Sequence, residues 1–203
     1  MTSADRGLNV RSATEADLQA VTETISLAFH ADPTWSGAFP DEARRQEQYA
    51  VFWSFMITAA LRYPWVLMTD GAEAAAVWIP PRGTEIAEED EERIDPLLEE
   101  LLGPRAGEAK ELFARFDAAH PHDEPHYYLS LLGTHPSAAG RGLGMALLAE
   151  NLARIDREHM PAYLESSNPA NNHRYQRHGF ERTGEFLPPG GEIPVTTMWR
   201  AAC

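Results

Sequence analysis

The stretch Tyr127–Glu158, YYLSLLGTHPSAAGRGLGMALLAENLARIDRE, reads as a strand, a glycine-rich turn and a helix. The apolar, aromatic run Tyr127–Leu132 predicts a buried strand. Pro136 ends it, because proline cannot donate to a ladder and restricts the residue before it. Gly140, Gly142 and Gly144 come next, with only Arg141 and Leu143 between them. Met145, Leu147, Leu148, Leu152 and Ile155 then repeat at helical spacing, with Glu150, Arg154 and Arg157 interleaved. Glycines let a ligand approach the backbone closely. The first turn of a helix offers unpaired N–H groups and a positive dipole end. The combination predicts a phosphate or pyrophosphate site; the plain alternative is a tight turn with no ligand.

The spacing narrows the ligand. A dinucleotide fingerprint needs G-x-G-x-x-G, and counting from Gly140 or Gly142 the third glycine falls on Met145 or Leu147. A P-loop needs a lysine after its last glycine, and none is present. Ala139-Gly140-Arg141-Gly142-Leu143-Gly144 instead resembles the coenzyme A loop of the GCN5-related N-acetyltransferases, [QR]-x-x-G-x-[GA]. It departs from that pattern at Ala139, where the family carries Gln or Arg. The resemblance implies that backbone N–H groups supply most pyrophosphate contacts. It assigns Ala139 through Met145, with Leu132, Gly133 and Thr134 on the preceding strand, to acetyl-CoA.

The next segment carries the same resemblance. Tyr163–Ser167 reads as a strand and Asn168-Pro169 as a helix start, a capping residue followed by proline at the first helical position. NPANNHRYQRHGF is similar to the family's N-x-x-[A/N]-x-x-x-Y-x-x-x-G-F segment, and PAYLESSNPANN with YQRHGF is most similar to its puromycin N-acetyltransferase-like branch. The resemblance implies that Tyr175 sits beside the thioester sulfur and that Asn168 and Asn171 touch the cofactor. Asn168 reads equally as a helix cap.

The bulk numbers bound the rest. A chain of 203 residues with 43% hydrophobic and 24% charged content fits one globular domain, residues 1–203. No apolar run reaches the roughly 18–20 residues of a membrane span. MTSADRGLNV lacks an apolar signal core, so a cytoplasmic location is expected. The formal net charge of −14 repels nucleic acid and suits a cationic small substrate as well as mere solubility. The single cysteine, Cys203, is the last residue and no candidate nucleophile.

Outward from the centre, Leu8–Arg11 predicts a first strand, and Thr14 with Asp17 a capped helix carrying Leu18, Val21, Ile25, Ala28 and Phe29. Pro33 breaks it, and ADPTWSGAFPD reads as a loop. Asp41 opens a second helix, to about Tyr63, with an aromatic face that includes Phe52 and Trp53. Trp65–Thr69 and Ala74–Ile79 predict a hairpin about Asp70-Gly71. Residues 82–122 form an insert of two amphipathic helices behind the acidic tract EIAEEDEERID, which reads as a solvated face. HPHDEPH, His120–His126, matches no metal-ligand spacing, and its prolines suggest a loop. Phe180–Phe186 and Val195–Arg200 close the chain as strands.

The order of elements gives an α/β class with a mixed, partly parallel sheet. The resemblance implies the acetyltransferase fold: helices on both faces and splayed central strands, with the strand ending at Thr134 parting from the one ending near Ser166. It also implies an enzyme acetylating the amine of a small molecule, an antibiotic or amino metabolite, by direct attack. A protein acetyltransferase and a non-catalytic acyl-CoA binder are the alternatives. Acyl transfer needs a neutral amine, a stabilised oxyanion and a protonated leaving thiolate. Tyr175 is the candidate acid and Glu165 the candidate base, with Glu124, His126 and His135 as weaker bases. Phe29, Trp35, Phe39, Trp53 and Tyr128 are the candidate acceptor pocket. No metal is called for.

Overall fold

The computed structural model describes residues 8–203, so part of the stretch read for a signal core lies outside the described residues. Seven strands form one sheet: β1 (Val10–Ser12), β2 (Val66–Thr69), β3 (Ala74–Ile79), β4 (Tyr127–Thr134), β5 (Ala162–Ser166), β6 (Glu181–Phe186) and β7 (Val195–Arg200). Their order across the sheet is β1-β2-β3-β4-β5-β7-β6. Among the described residues, only β4 and β5 pair in parallel. A parallel pair needs a crossover, and the helix Leu143–Asp156 supplies it.

Both faces of the sheet are covered. On one, Leu147, Leu148, Leu152 and Ile155 of the crossover helix pack on Leu67, Trp78, Leu129 and Leu164. On the other lie α1 (Leu18–Phe29), α2 (Pro33–Ala38), α3 (Glu42–Ala60), α4 (Glu91–Leu102) and α5 (Ala106–Ala119). Their buried residues, among them Ile25, Phe52, Trp53, Leu98 and Leu112, share a core with Met68, Val77 and Leu131. The crossover helix is α6, and α7 (Asn172–Gln176) comes after β5.

The feature that positions the site is an irregularity in β4. Against β3, Val77 faces Leu131 but Trp78 faces Leu129, so Ser130 is an extra residue. Such a bulge bends its strand and increases the local twist. Pairing of β4 with β5 covers Tyr127–Leu129 against Ala162–Leu164 and stops there. The bulge also switches the side of the sheet to which the strand contributes: Leu129 belongs to the α6 core and Leu131 to the opposite one. The splay therefore opens at Ser130, leaving one edge of Leu131–Thr134 without a neighbouring strand.

Several local expectations need correction. The connection after α1 is not a loop. Asp32 accepts from Thr34 N at 3.0 Å and Trp35 N at 3.1 Å, and Pro33 opens α2 as its first residue. The proline that ends one helix starts the next. The first strand is Val10–Ser12 rather than Leu8–Arg11, and α3 ends at Ala60. The β2–β3 hairpin forms, but its left-handed residue is Ala72, at φ 55°, not Gly71. Thr14 and Asp17 form the expected capping box, on a single 3-10 turn before α1. Among the described residues, no helix is long and apolar enough to cross a membrane.

Candidate active site

The glycine turn lies beyond the free end of β4. Gly140 and Gly142 take left-handed φ values of 77° and 75°, where a side chain would be strained. Gly142 is the N-cap of α6, and no side chain caps that helix. Among the described residues, the amides of Gly142, Leu143, Gly144 and Met145 make no hydrogen bond. A Cβ on Gly144 would lie 2.6 Å from Thr134 Oγ1, so the missing side chain lets the first turn of α6 press against the end of β4. Unpaired amides at the positive end of a 14-residue helix fit a diphosphate.

Between the splayed ends of β4 and β5 opens a cavity of about 250 Å³. Tyr128, Leu132 and Glu165 line it from the sheet, Phe29, Trp35 and Trp53 from the first three helices, and Asn168, Asn171 and Tyr175 from the segment after β5. Trp35 stacks on Phe116 at 5.9 Å and meets Trp53 edge-on at 4.8 Å. What holds Trp35 there is a tie between α2 and the end of β5. Ser167 Oγ donates to Asp32 at 2.7 Å, and Thr34 Oγ1 donates to the Ser167 carbonyl at 3.0 Å. A second cavity of about 550 Å³, with more charged residues in its wall, shares Glu85, Phe113, Phe116, Tyr128 and Glu165 with the first.

Carboxylates set the electrostatics of this junction. The Glu165 side chain is only 2% exposed; among the described residues neither oxygen has a hydrogen-bond partner of good geometry, and the Tyr128 and Tyr163 phenols face it. Its nearest cation candidate, His120 Nδ1, is 3.7 Å away. Glu85 accepts a hydrogen bond from Ser130 Oγ, the hydroxyl of the bulge residue. Though part of Glu85 surfaces in the cavity, desolvation outweighs that bond and, with the charge of Glu165, pushes its carboxyl up to about 7. Burial first, and the charge of Glu165 second, raise the Tyr128 and Tyr163 phenols. Burial, then Asp32, raises Tyr175 to about 12.

Comparison with known proteins is decisive at the family level. The model of the acetyltransferase (GNAT) family matches residues 32–180. The chain belongs to the GNAT acetyltransferase family. A mycothiol acetyltransferase of Gordonia bronchialis is 33% identical over 123 residues, which are 54% of this chain and 37% of that protein. The chain thus matches little more than a third of that relative's length. Among solved structures, a Corynebacterium glutamicum protein described as a histone acetyltransferase and related acetyltransferase superposes with a TM-score of 0.70 at 24% identity, over 97% of both chains. The Drosophila melanogaster polyamine N-acetyltransferase superposes with a TM-score of 0.62 at 19% identity, over 96% of this chain and 99% of its own. These structures share the GNAT fold of a mixed sheet flanked by helices.

Set in the GNAT fold, the two catalytic candidates converge with part of the cofactor and pocket sets. Phe29, Trp35, Trp53, Tyr128, Leu132, Glu165, Asn168, Asn171 and Tyr175 reach one cavity. Phe39 does not: it is wholly buried, 5.2 Å from Tyr49 and 5.3 Å from Phe52, and belongs to the core. Gly133 faces α1, since a Cβ there would meet Ala28 and Ile25 at 2.9 Å. Asn168 caps the turn before α7, accepting from Ala170 N at 3.1 Å. His135 lines neither cavity and accepts from Ser137 N at 3.2 Å. Glu124 offers its carbonyl, not its carboxylate, to His126. Sequence reading missed Asp32, Glu85 and His120. Asp32 lies just past the last turn of α1, and Glu85 opens a tract whose other acids face solvent. Neither carries a local signal for the cavity.

Proposed function

We propose that this protein is an acetyl-CoA-dependent N-acetyltransferase acting on the amine of a small molecule. The observation that carries this reading is the pairing of a buried carboxylate, Glu165, with a protonated phenol, Tyr175, across one cavity. Members of the GNAT family use acetyl-CoA as acyl donor. Gly142–Met145 would hold its diphosphate through their free amides, and the open edge of Leu131–Thr134 would receive the extended pantetheine arm. When bound, it supplies an acetyl thioester.

The chain's own groups meet the remaining needs. Glu165 draws an ammonium into the cavity and takes its proton, leaving the neutral amine that attack requires. Backbone N–H groups about Leu132–Thr134 supply hydrogen bonds to a developing oxyanion. Tyr175, raised to about 12, keeps its proton at neutral pH. Because a thiol is more acidic, near about 8.5, outright proton transfer from this phenol to a thiolate is unfavourable. Tyr175 is therefore assigned as a hydrogen-bond donor to the departing sulfur rather than as a simple acid. The aromatic walls, Trp35, Trp53 and Phe116, suit the apolar body of an amine small enough for this cavity. The puromycin N-acetyltransferase-like tract and the polyamine acetyltransferase among the structural neighbours support a small acceptor over a peptide, and keep an antibiotic or amino metabolite as the class.

The test is thiol release from acetyl-CoA with 2-phenylethylamine, agmatine, glucosamine, puromycin and a peptide with a free N-terminus. A small amine is expected to accelerate release. Tyr175→Phe is expected to lower kcat by roughly 10–100-fold with little change in KM for acetyl-CoA. Acceleration by the peptide alone would favour a protein acetyltransferase. Binding of acetyl-CoA without release to any amine would favour an acyl-CoA sensor.

A further inference from the structure

The Glu165 side chain is only 2% exposed, so a proton it takes from the amine has little direct contact with water. We propose that His120 is the outlet for that proton, held ready by His126; the inference rests on the functional reading above.

Hydrogen-bond logic fixes the two tautomers. His126 Nδ1 lies 2.6 Å from the Glu124 carbonyl oxygen, which can only accept. His126 therefore carries its hydrogen on Nδ1. The ring is buried against Tyr163 and Trp199, and burial lowers its pKa and keeps it neutral. Its Nε2 is then a bare acceptor, 3.2 Å from His120 Nε2. His120 must donate there, which leaves its own Nδ1 bare and 3.7 Å from Glu165 Oε1. Two acceptors face each other with no proton between them.

The phenols of Tyr128 and Tyr163 also face Glu165, from β4 and β5. Tyr163 of β5 packs edge-on to His120 at 5.1 Å and spends its hydroxyl hydrogen on the Ala119 carbonyl at 3.1 Å. Tyr128 of β4 packs edge-on at 4.8 Å and is held protonated. His122 lies at 5.6 Å, and the Asp117 carboxylate is 3.9 Å from His122. The His120 side chain is 25% exposed and lines the second cavity of about 550 Å³.

The proton balance closes. The ammonium N–H breaks and a Glu165 O–H forms; that bond breaks as His120 Nδ1–H forms. The imidazolium then loses a proton to water in the second cavity, restoring carboxylate and neutral ring. His120 and His126 are positioning residues, acting through Glu165 without touching the amine.

Nitrogen-15 NMR of histidine-labelled protein decides the point without any substrate. At about pH 8, above the usual imidazole pKa of about 6.5, the wild type should show Nδ1–H on His126 and Nε2–H on His120. His126→Phe should release His120 into a mixture of tautomers. A His120 carrying Nδ1–H in the wild type would overturn the proposal, because that nitrogen could not accept. In the thiol-release assay with 2-phenylethylamine, His120→Gln should lower kcat about tenfold or more with KM for acetyl-CoA unchanged, and added imidazole should restore part of the rate to His120→Ala. Wild-type turnover with an unaffected His120→Gln enzyme refutes the outlet. Absence of acetyl-CoA-dependent release in the wild type refutes the functional reading instead.

Discussion

Glu85 and Glu165 show how far a residue's environment departs from its sequence context. Glu165 was legible because it ends a strand just before the Asn-Pro helix start. Glu85 was not, because Ser130, which bonds it, is 45 positions away and the neighbouring acids are solvated. Its carboxyl, up to about 7 from an ordinary 4.5, has a consequence for stability. The folded protein holds a proton that the unfolded chain releases, so stability is fully present below pH 4.5 and falls as pH rises through about 7. The loss is at most about 3 kcal/mol, and less with solvent screening. Denaturant titrations between those limits should show wild type losing stability relative to Glu85→Gln as pH rises. Equal slopes in the two proteins would mean that Glu85 titrates normally.

At the scale of elements, the strand–turn–helix unit was readable because its signals are local: an apolar run, a proline, three glycines and a helical repeat. The α2 helix and the bulge were not. Pro33 is one symbol for both a stop and a start, and the cap that makes it a start is completed by Ser167, far along the chain. The bulge at Ser130 exists only relative to β3. The close approach of α6 to β4 can be tested directly. Gly144→Ala places a Cβ about 2.6 Å from Thr134 Oγ1 and should cost roughly 1–3 kcal/mol of stability while weakening acetyl-CoA binding. Thr134→Ala removes that oxygen and should restore most of both in the double variant. A double variant as impaired as the single one would locate the problem elsewhere.

The whole molecule assembles its site where the bulge in β4 meets the aromatic helices. The bulge parts β4 from β5, and the aromatic helices of the opposite face close over the gap. Residues from α1, α2, α3, α5, β4, β5 and α7 thereby reach one cavity, although no local window of sequence contains more than a few of them. This is why the fold and the glycine turn were legible and the cavity wall only partly so: Phe39 has the same chemistry as Phe29 but sits on the core side of the helices. The net charge of −14 gives the molecule a field that favours cationic acceptors at low salt. Thermal denaturation with acetyl-CoA, CoA, ATP or NAD, each at about 100 times a plausible dissociation constant, tests the central assignment most directly. Acetyl-CoA and CoA should each stabilise the native state by roughly 2.7 kcal/mol, and ATP and NAD should not. Stabilisation by ATP or NAD without acetyl-CoA would contradict the assignment of the glycine turn, and the roles of Tyr175 and Glu165 would fall with it.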